Sequence, residues 1–320
     1  MKNHTYHYKM RPIWKGMRER KTNNTVFGHL WENGVGCPIG TVPIRRVTKE
    51  DILALNSLDD KYKPHGSWNT STSGPKNVLH PDQHYHAVGR TKGKGMRYNG
   101  ATMDLCITAP QVKPTQHSAS RIHFQMGDDF IQAGITVNPV LYKDHNPRIY
   151  VFTKAGEKSC FNNHCDVGMI SVRQDLPLGM ALSPVSIRAM EAYSTTFGLI
   201  KDQASGNWWL LLGRKSEQIG VWPEQIFGQT FGDKVEWGGE VFRAWLPSPQ
   251  MGFGYFPTGK RLEDAYIKRI SILDGNFQYD RQVNNIEAVS DNTRGYGVKQ
   301  KIDKDIETGR VIYYGGPGNV

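Results

Sequence analysis

The 320-residue chain lacks any apolar run near the ~20 residues that a bilayer-spanning helix needs. It also has little charge imbalance beyond its first 50 residues, which hold +7 of the net charge of +10. A near-neutral body argues against a folded nucleic-acid binder, which needs a basic face. Its 8 Trp, 14 Tyr and 12 Phe exclude wholesale disorder. The composition therefore predicts a globular protein with neither a membrane nor a nucleic acid as partner.

Helical periodicity and familiar catalytic motifs are scarce as well. One clean helix start occurs, at Thr48, with apolar residues following as far as Leu58. No GxSxG, HExxH or P-loop motif is present, which removes support for serine-elbow, zincin and nucleotide-binding functions. Residues 63–83 are rich in Pro, Gly, Ser, Thr and Asn without a period of 2 or 3.6, and this composition predicts a linker.

The rest of the chain alternates in the manner of β-strands. Within residues 130–137, Ile131 and Ala133 share one face while Gln132 lies on the other, which predicts a half-buried strand. Further runs of this kind occur at 148–153, 195–200, 207–212, 235–242 and 267–273. Many short strands separated by turn signals predict an all-β fold, an antiparallel β-sandwich of two stacked sheets.

The chain has four cysteines, at positions 37, 106, 160 and 165. The loop from Cys160 to Cys165 is short enough for a local disulfide. A metal site would have to add His164 and borrow His84 or His86, and the chain lacks the paired CxxC spacing of structural zinc sites. We therefore expect a disulfide or free thiols here, and no metal or cofactor.

Three glycosylation sequons, at Asn3, Asn23 and Asn69, favour an extracellular protein. The first 20 residues are nevertheless polar and basic, without the apolar segment of a signal peptide. The sequons thus indicate secretion, whereas the first 20 residues do not.

Several strings in a common order resemble one known family. The first part of the chain contains KMRP at 9–12 and CPIGTVPIRRVTKED at 37–51. The body contains SPVS at 183–186, GNWWL at 206–210, GVWPEQIF at 220–227, VEWGGEVF at 235–242, QMGFG at 250–254 and YYGGPG at 313–318. Together they resemble the plant neprosin-like proteins, which are secreted glutamic-type prolyl endopeptidases made with an activation propeptide.

The resemblance implies a domain organisation. Residues 1–75 correspond to an activation-peptide-like region and linker, a smaller N-terminal region, and residues 76–320 to the β-sandwich catalytic domain. Family members begin with a signal peptide and a propeptide segment containing a cysteine, and we expect this chain to start after both. Cys37 would then have lost its usual partner, and secretion is expected from the resemblance although this chain shows no signal peptide.

The resemblance also implies a catalytic pair of glutamates, one on a strand reading IEAGW and one in WGGEV. Here Gln132 stands at the first position and Ile135 replaces the Trp. Glu240 matches the second position. Glu236 remains an alternative, because residues four apart on a strand share a face and Gly238 permits a bulge that re-aims either one.

Two functions stay open on this basis. The first is a peptidase zymogen that cleaves after proline in Pro-rich peptides, with its own propeptide as a partner in cis. Gln132 can donate to an oxyanion but has no proton to give, so Glu240 would act as base and then as acid, with weakened activity. The second is a catalytically inactive sandwich that binds Pro-rich peptides or cell-wall material. A carbohydrate-binding module is a third, by analogy of fold alone.

Aromatic side chains supply the candidates for contact with substrate. Proline rings dock well on flat aromatic surfaces. Most of the tryptophans are expected in the core between the sheets. Trp208, Trp237 and Tyr142 are the predicted substrate-binding residues.

Overall fold

A computed structural model describes Thr48 and residues 60–69, 83–173, 175–303 and 308–320. The helix predicted after Thr48 lies outside the described residues, as do Asn3, Asn23 and Cys37, for which glycosylation and a lost partner are predicted. The side chain of Asn69 also lies outside them, although its backbone closes a short 3₁₀ turn.

The described residues form two antiparallel sheets. The first has the spatial order β14 (Ile286–Ser290), β1 (Gln83–Thr91), β11 (Lys234–Arg243), β3 (His117–Met126), β4 (Asp129–Val137), β5 (Arg148–Ala155) and β6 (Lys158–Phe161). The second has the order β15 (Gly297–Ile302), β16 (Arg310–Gly315), β12 (Ala265–Asp274), β2 (Tyr98–Cys106), β8 (Ser194–Lys201), β9 (Trp208–Leu212), β10 (Glu217–Trp222) and β7 (Ile170–Ser171), and β13 (Tyr279–Asp280) pairs with β12.

Helical structure in the same residues is short. It comprises the single turn α1 (Pro139–Tyr142) and 3₁₀ turns at Asp60–Tyr62, Ser67–Asn69 and Glu224–Ile226. None of these described helices has the length and apolar character to cross a bilayer.

The two sheets pack face to face, and hydrogen bonds from buried tryptophans cross between them. Trp237 on β11 donates its indole N–H to the carbonyl oxygen of Thr102 on β2, at 3.1 Å. Trp222 on β10 donates to Thr153 Oγ1 on β5, at 2.9 Å. A buried indole N–H needs such a partner. The predicted all-β sandwich is confirmed, with its main core between the sheets.

The outer face of the first sheet is buried as well. The alternation predicted for β4 is present, since Ile131 and Ala133 lie in the core between the sheets. All nine residues of β4 are buried, however, so the predicted half-buried strand is wrong. A second apolar cluster covers its outer side and includes Tyr62, Phe130 and Phe242. Alternation identified the two faces but could not reveal this cover, because it comes from distant parts of the chain.

Candidate active site

Polar side chains line up across the outer face of the first sheet. The pleat sends every second residue of a strand to this face, and the strand registers bring such residues side by side. Glu240 on β11 pairs with His86 on β1, Glu236 pairs with His123 on β3, and His123 pairs with Gln132 on β4. All five side chains are fully buried. A cluster of this kind, with two carboxylates, is a candidate for chemistry.

Gln132 and Glu240 are in direct contact. The Gln132 amide nitrogen donates to Glu240 Oε2 at 2.7 Å and to the Tyr150 hydroxyl at 2.8 Å. The Gln132 amide oxygen lies 2.9 Å from His123 Nδ1, so both ends of the amide are held. The two-residue period of a strand left both Glu236 and Glu240 as candidates. The structure places Glu240 in contact with Gln132.

The glycines of β11 do not re-aim either glutamate. β11 pairs in an unbroken register with both β1 and β3 through Gly238 and Gly239. The bulge considered from the sequence therefore does not form, and Glu236 and Glu240 face the same side.

Arg121 on β3 bridges the two glutamates. Its Nη2 lies 2.5 Å from Glu236 Oε1 and its Nε lies 3.2 Å from Glu240 Oε2. Glycines stand beside it on both neighbouring strands, Gly238 on β11 and Gly134 on β4. A Cβ at position 134 would lie 2.1 Å from a backbone oxygen of β3 and 3.0 Å from the Arg121 Cβ, so only glycine fits.

Sequence reasoning missed Arg121. The signal available was the alternation of Arg121 and His123 with Ile122 and Phe124, which indicates a charged residue on one face of a strand. That signal alone does not distinguish a solvent-facing arginine from a buried one, and arginines are mostly exposed.

The surroundings of the two carboxylates favour their ionised forms. Burial by itself raises the pKa of Glu236, but the positive charge of Arg121 outweighs it and lowers the pKa below the ordinary value. Burial likewise acts to raise the pKa of Glu240, while hydrogen bonds from His84 and His86 and the Arg121 charge hold it well below its usual range. Both groups are therefore carboxylates at neutral pH.

An N-terminal segment, residues 60–69, lies over these carboxylates, and we call it the strap. The backbone N–H of Ser67 donates to Glu236 Oε1 at 3.0 Å and its hydroxyl donates to Oε2 at 2.5 Å. The backbone N–H of His65 donates to Glu240 Oε1 at 3.3 Å. Acceptor oxygens that an incoming ligand would need are thus already in use.

Aromatic contacts hold the strap at both ends. The Tyr62 ring lies in the outer apolar cluster and its hydroxyl donates to Asn138 Oδ1 at 2.6 Å. The Trp68 ring lies 6.0 Å from that of His123. Residues 63–69 are therefore packed on the sheet, and for this part of 63–83 the predicted linker is wrong. Its composition resembles a linker because a close approach to the sheet also requires small residues, as at Gly66, where a Cβ would lie 3.0 Å from His123 Nε2.

The three aromatic residues predicted to bind substrate are all buried. Trp208 and Trp237 are fully buried in the core between the sheets. Tyr142 is 3% exposed and lies within the outer apolar cluster. The prediction is wrong for Trp208 and Trp237, because inward positions of β9 and β11 are occupied by the residues that fill the core. Tyr142 lies on the side of the sheet that carries Gln132, and its role stays a prediction.

The predicted disulfide between Cys160 and Cys165 is not formed, and both residues are free thiols. They interact through a hydrogen bond instead, in which the Cys160 thiol lowers the pKa of Cys165 to about 7 and its own pKa is raised. A short loop brings the sulfurs together, as the spacing predicted. It does not decide their oxidation state.

Comparison with known proteins matches two parts of the chain to family models. Residues 114–317 match the Neprosin family and residues 1–90 match the Neprosin activation peptide. The first match covers more than half of the chain, so the chain belongs to the Neprosin family. The strap lies within the part that matches the activation peptide, as does β1 apart from its last residue, Thr91. The boundary predicted at residue 75 lies outside the described residues.

Solved structures offer distant likenesses. A scytalido-glutamic peptidase with a peptide-based transition state analog is 7% identical over 72% of this chain and 97% of that chain, with a TM-score of 0.38. The same peptidase with a transition state analog inhibitor is 5% identical over the same shares, with a TM-score of 0.39. The CBM40 of a Ruminococcus gnavus IT-sialidase is 10% identical over 52% of this chain and 92% of that chain, with a TM-score of 0.22. These scores are too low to support an argument about function.

Proposed function

We propose that this chain is the precursor of a glutamic-type peptidase in which Gln132 and Glu240 act on a peptide bond. One observation carries the proposal: the Gln132–Glu240 pair, in contact at 2.7 Å, lies beneath a strap that belongs to the activation-peptide part of the chain. The strap binds the carboxylates through backbone N–H groups, which are the groups that any peptide substrate offers. Its removal would open the same positions to a substrate.

The residues of the site divide the chemical work between them. Glu240 takes a proton from the attacking water and returns it to the leaving amine. Gln132 donates to the carbonyl oxygen as negative charge develops there. Arg121 is a second donor, because its Nη1 has no hydrogen-bond partner among the described residues. A buried cation with a spare N–H suits an oxyanion better than a neutral amide alone.

The same geometry favours weak activity. The pKa of Glu240 is held well below its usual range, which makes the carboxylate a poor base. Gln132 cannot supply the proton that a second glutamate would. We therefore propose slow hydrolysis after proline in proline-containing peptides, with the specificity taken from the family resemblance.

The test uses protein from which the strap has been released by limited proteolysis. Cleavage of an unstructured proline-containing peptide is followed by mass spectrometry. Glu240→Gln should lower the rate by ~10²-fold or more, as for loss of a general base. Glu217→Gln, on β10 of the other sheet, is the matched control and should leave the rate unchanged. Activity that survives Glu240→Gln but not Glu236→Gln would refute the choice of glutamate.

The alternative function is a silent cleft that binds proline-rich peptides without cleaving them. The observation in its favour is Arg121, which pairs with both carboxylates and leaves neither as an uncompensated base. In that case strap-free protein binds the peptide but does not cleave it. Gln132→Glu, which supplies the missing acid, would then introduce cleavage that the wild type lacks.

Secretion is part of the proposal and has its support in the family resemblance and the three sequons. Expression of the full-length gene with a C-terminal tag tests it. Tagged protein that stays inside the cell, without glycan, would contradict secretion.

A further inference from the structure

Two histidines and Glu240 converge at one point beneath the strap. His84 and His86 lie two residues apart on β1, so the pleat places both rings on the outer face, and Glu240 is the residue paired with His86 across the sheet. His84 Nδ1 lies 2.8 Å from Glu240 Oε1, and His86 Nε2 lies 3.7 Å from the same oxygen. The three donor atoms lie within 4.8 Å of one another, and all three residues are buried.

The opposite nitrogen of each histidine also has a partner. His84 Nε2 lies 2.8 Å from the carbonyl oxygen of Lys61. His86 Nδ1 lies 3.0 Å from Asp291 Oδ2, and the other oxygen of Asp291 accepts the His86 backbone N–H at 2.9 Å. Metal-binding histidines almost always donate their second ring N–H to a carbonyl or a carboxylate, which fixes the tautomer and orients the ring. The nitrogens that face Glu240, His84 Nδ1 and His86 Nε2, lose their protons when they bind the metal, so zinc binding releases protons.

We propose that His84, His86 and Glu240 bind a zinc ion in the precursor. Two imidazoles and one carboxylate are a ligand set that zinc takes, with a fourth position left for water or another oxygen. Bonds of about 2.0–2.1 Å in a tetrahedron require donor atoms about 3.3 Å apart. The separations of 2.8 and 3.7 Å between each histidine nitrogen and Glu240 Oε1 lie on either side of that value. The two histidine nitrogens lie within 4.8 Å of each other, so side-chain rotations that bring the rings together complete the geometry.

The strap takes part in the proposed site. Its Lys61 carbonyl holds His84, and the His65 carbonyl oxygen lies 3.2 Å from His86 Nε2, close enough to supply an oxygen to the fourth position. A bound zinc ion would therefore link the strap to the sheet. It would also coordinate Glu240 Oε1, the oxygen that faces the strap. Zinc acts in this scheme as a lock on the precursor, released when the metal is removed.

Sequence spacing does not predict this site, because its proposed ligands come from alternate positions of one strand and from a second strand far away in the chain. Only the register of β1 with β11 brings them together.

The experiment measures zinc binding by the full-length chain after treatment with EDTA and removal of the chelator. Isothermal titration with Zn²⁺ should reveal a site that is lost in His84→Ala and in His86→Ala. His145→Ala, an exposed histidine outside the cluster, is the control and should bind as the wild type does. Asp291→Asn should weaken binding by about 10–100-fold, as expected for an outer partner of a ligand histidine.

Two further measurements do not depend on the alanine variants being folded. X-ray absorption of the zinc-loaded wild type should show imidazole and oxygen neighbours at about 2.0–2.2 Å. Zinc should also slow hydrogen exchange of residues 60–69 in the wild type, and should not do so in His84→Gln. A wild type that binds no zinc, or that binds it equally with and without His84 and His86, would overturn the proposal. So would sulfur neighbours in the absorption spectrum.

The outcome is separate from that of the peptidase proposal. Zinc binding and strap protection are read without any substrate, so they stand even if the strap-free protein cleaves nothing. Cleavage by a protein that binds no zinc would leave the peptidase proposal intact and refute the lock.

Discussion

Replacing Arg121 by methionine should destabilise the protein strongly. Methionine fills much of the volume of the arginine stem but leaves Glu236 and Glu240 buried without the cation they share. Breaking a buried ion pair from one side costs about 3–5 kcal/mol, since the remaining charge has lost both water and its partner. Glu236 loses its charged partner, whereas Glu240 keeps its contacts with His84 and His86, so we expect a loss within that range at pH 7.

The loss should depend on pH in a defined direction. In the wild type the pKa of Glu236 is lowered on folding, so this group stabilises the fold above its ordinary pKa of 4.5, and the contribution disappears as the pH falls through the folded value. Without Arg121, burial dominates and raises the pKa of the same carboxyl. The variant regains stability when the carboxyl is protonated. The difference between variant and wild type should therefore shrink from pH 8 to pH 5.

Urea unfolding, followed by tryptophan fluorescence in the presence of EDTA, measures the free energy of unfolding. Arg173→Met is the matched control. Arg173 also bridges two carboxylates, those of Asp175 and Glu217, but its side chain is 30% exposed. Surface pairs of this kind contribute about 0–1 kcal/mol. Equal losses for Arg121→Met and Arg173→Met, or a difference that grows toward acid pH, would refute the electrostatic argument.

Three further predictions concern the sheet, the thiols and the strap. Gly134→Ala should lower the free energy of unfolding in urea by about 1–3 kcal/mol, because its Cβ would lie 2.1 Å from a backbone oxygen. Gly198→Ala is the control: its nearest contact would be at 3.5 Å, so it should change the free energy of unfolding by about 0.5 kcal/mol or less. Alkylation of Cys165 should rise to half its limiting rate near pH 7 and outpace that of the buried Cys160; a midpoint above pH 8 would contradict the lowered pKa. Ser67→Asp should hasten proteolytic release of the strap, since it puts a negative charge against the carboxylate that Ser67 now binds, and an unchanged rate would contradict that contact.

Local patterns in the sequence determined the class of fold. Alternation in stretches such as 130–137 and 235–242 places apolar residues on one side of a strand, and this property belongs to the strand itself. It therefore predicts the sandwich and the orientation of Gln132 without any knowledge of neighbouring strands. Alternation fails for the outer face of the sheet. It predicts that the side chains there are exposed, whereas the strap buries them.

Short sequence motifs likewise indicated the family and the positions of Gln132 and Glu240. The two-residue period of a strand could not separate Glu240 from Glu236, because both face the same side. That choice depends on which residue of β11 lies near β4, and β3 stands between those two strands. Side-chain reach across a sheet follows from register, and register is set by the packing of whole strands.

The composition of the site was decided by tertiary structure alone. Arg121, His84 and His86 come from strands that are distant from Glu240 in the chain, and they meet it only because β1 and β3 flank β11. The sequence by itself determined which residues face outward from each strand, since that follows from the two-residue period of the backbone. Which of them share one buried volume depends on strand order and register. Their charges, protonation states and possible ligands follow from that neighbourhood, because buried charges interact over short distances with little screening by solvent.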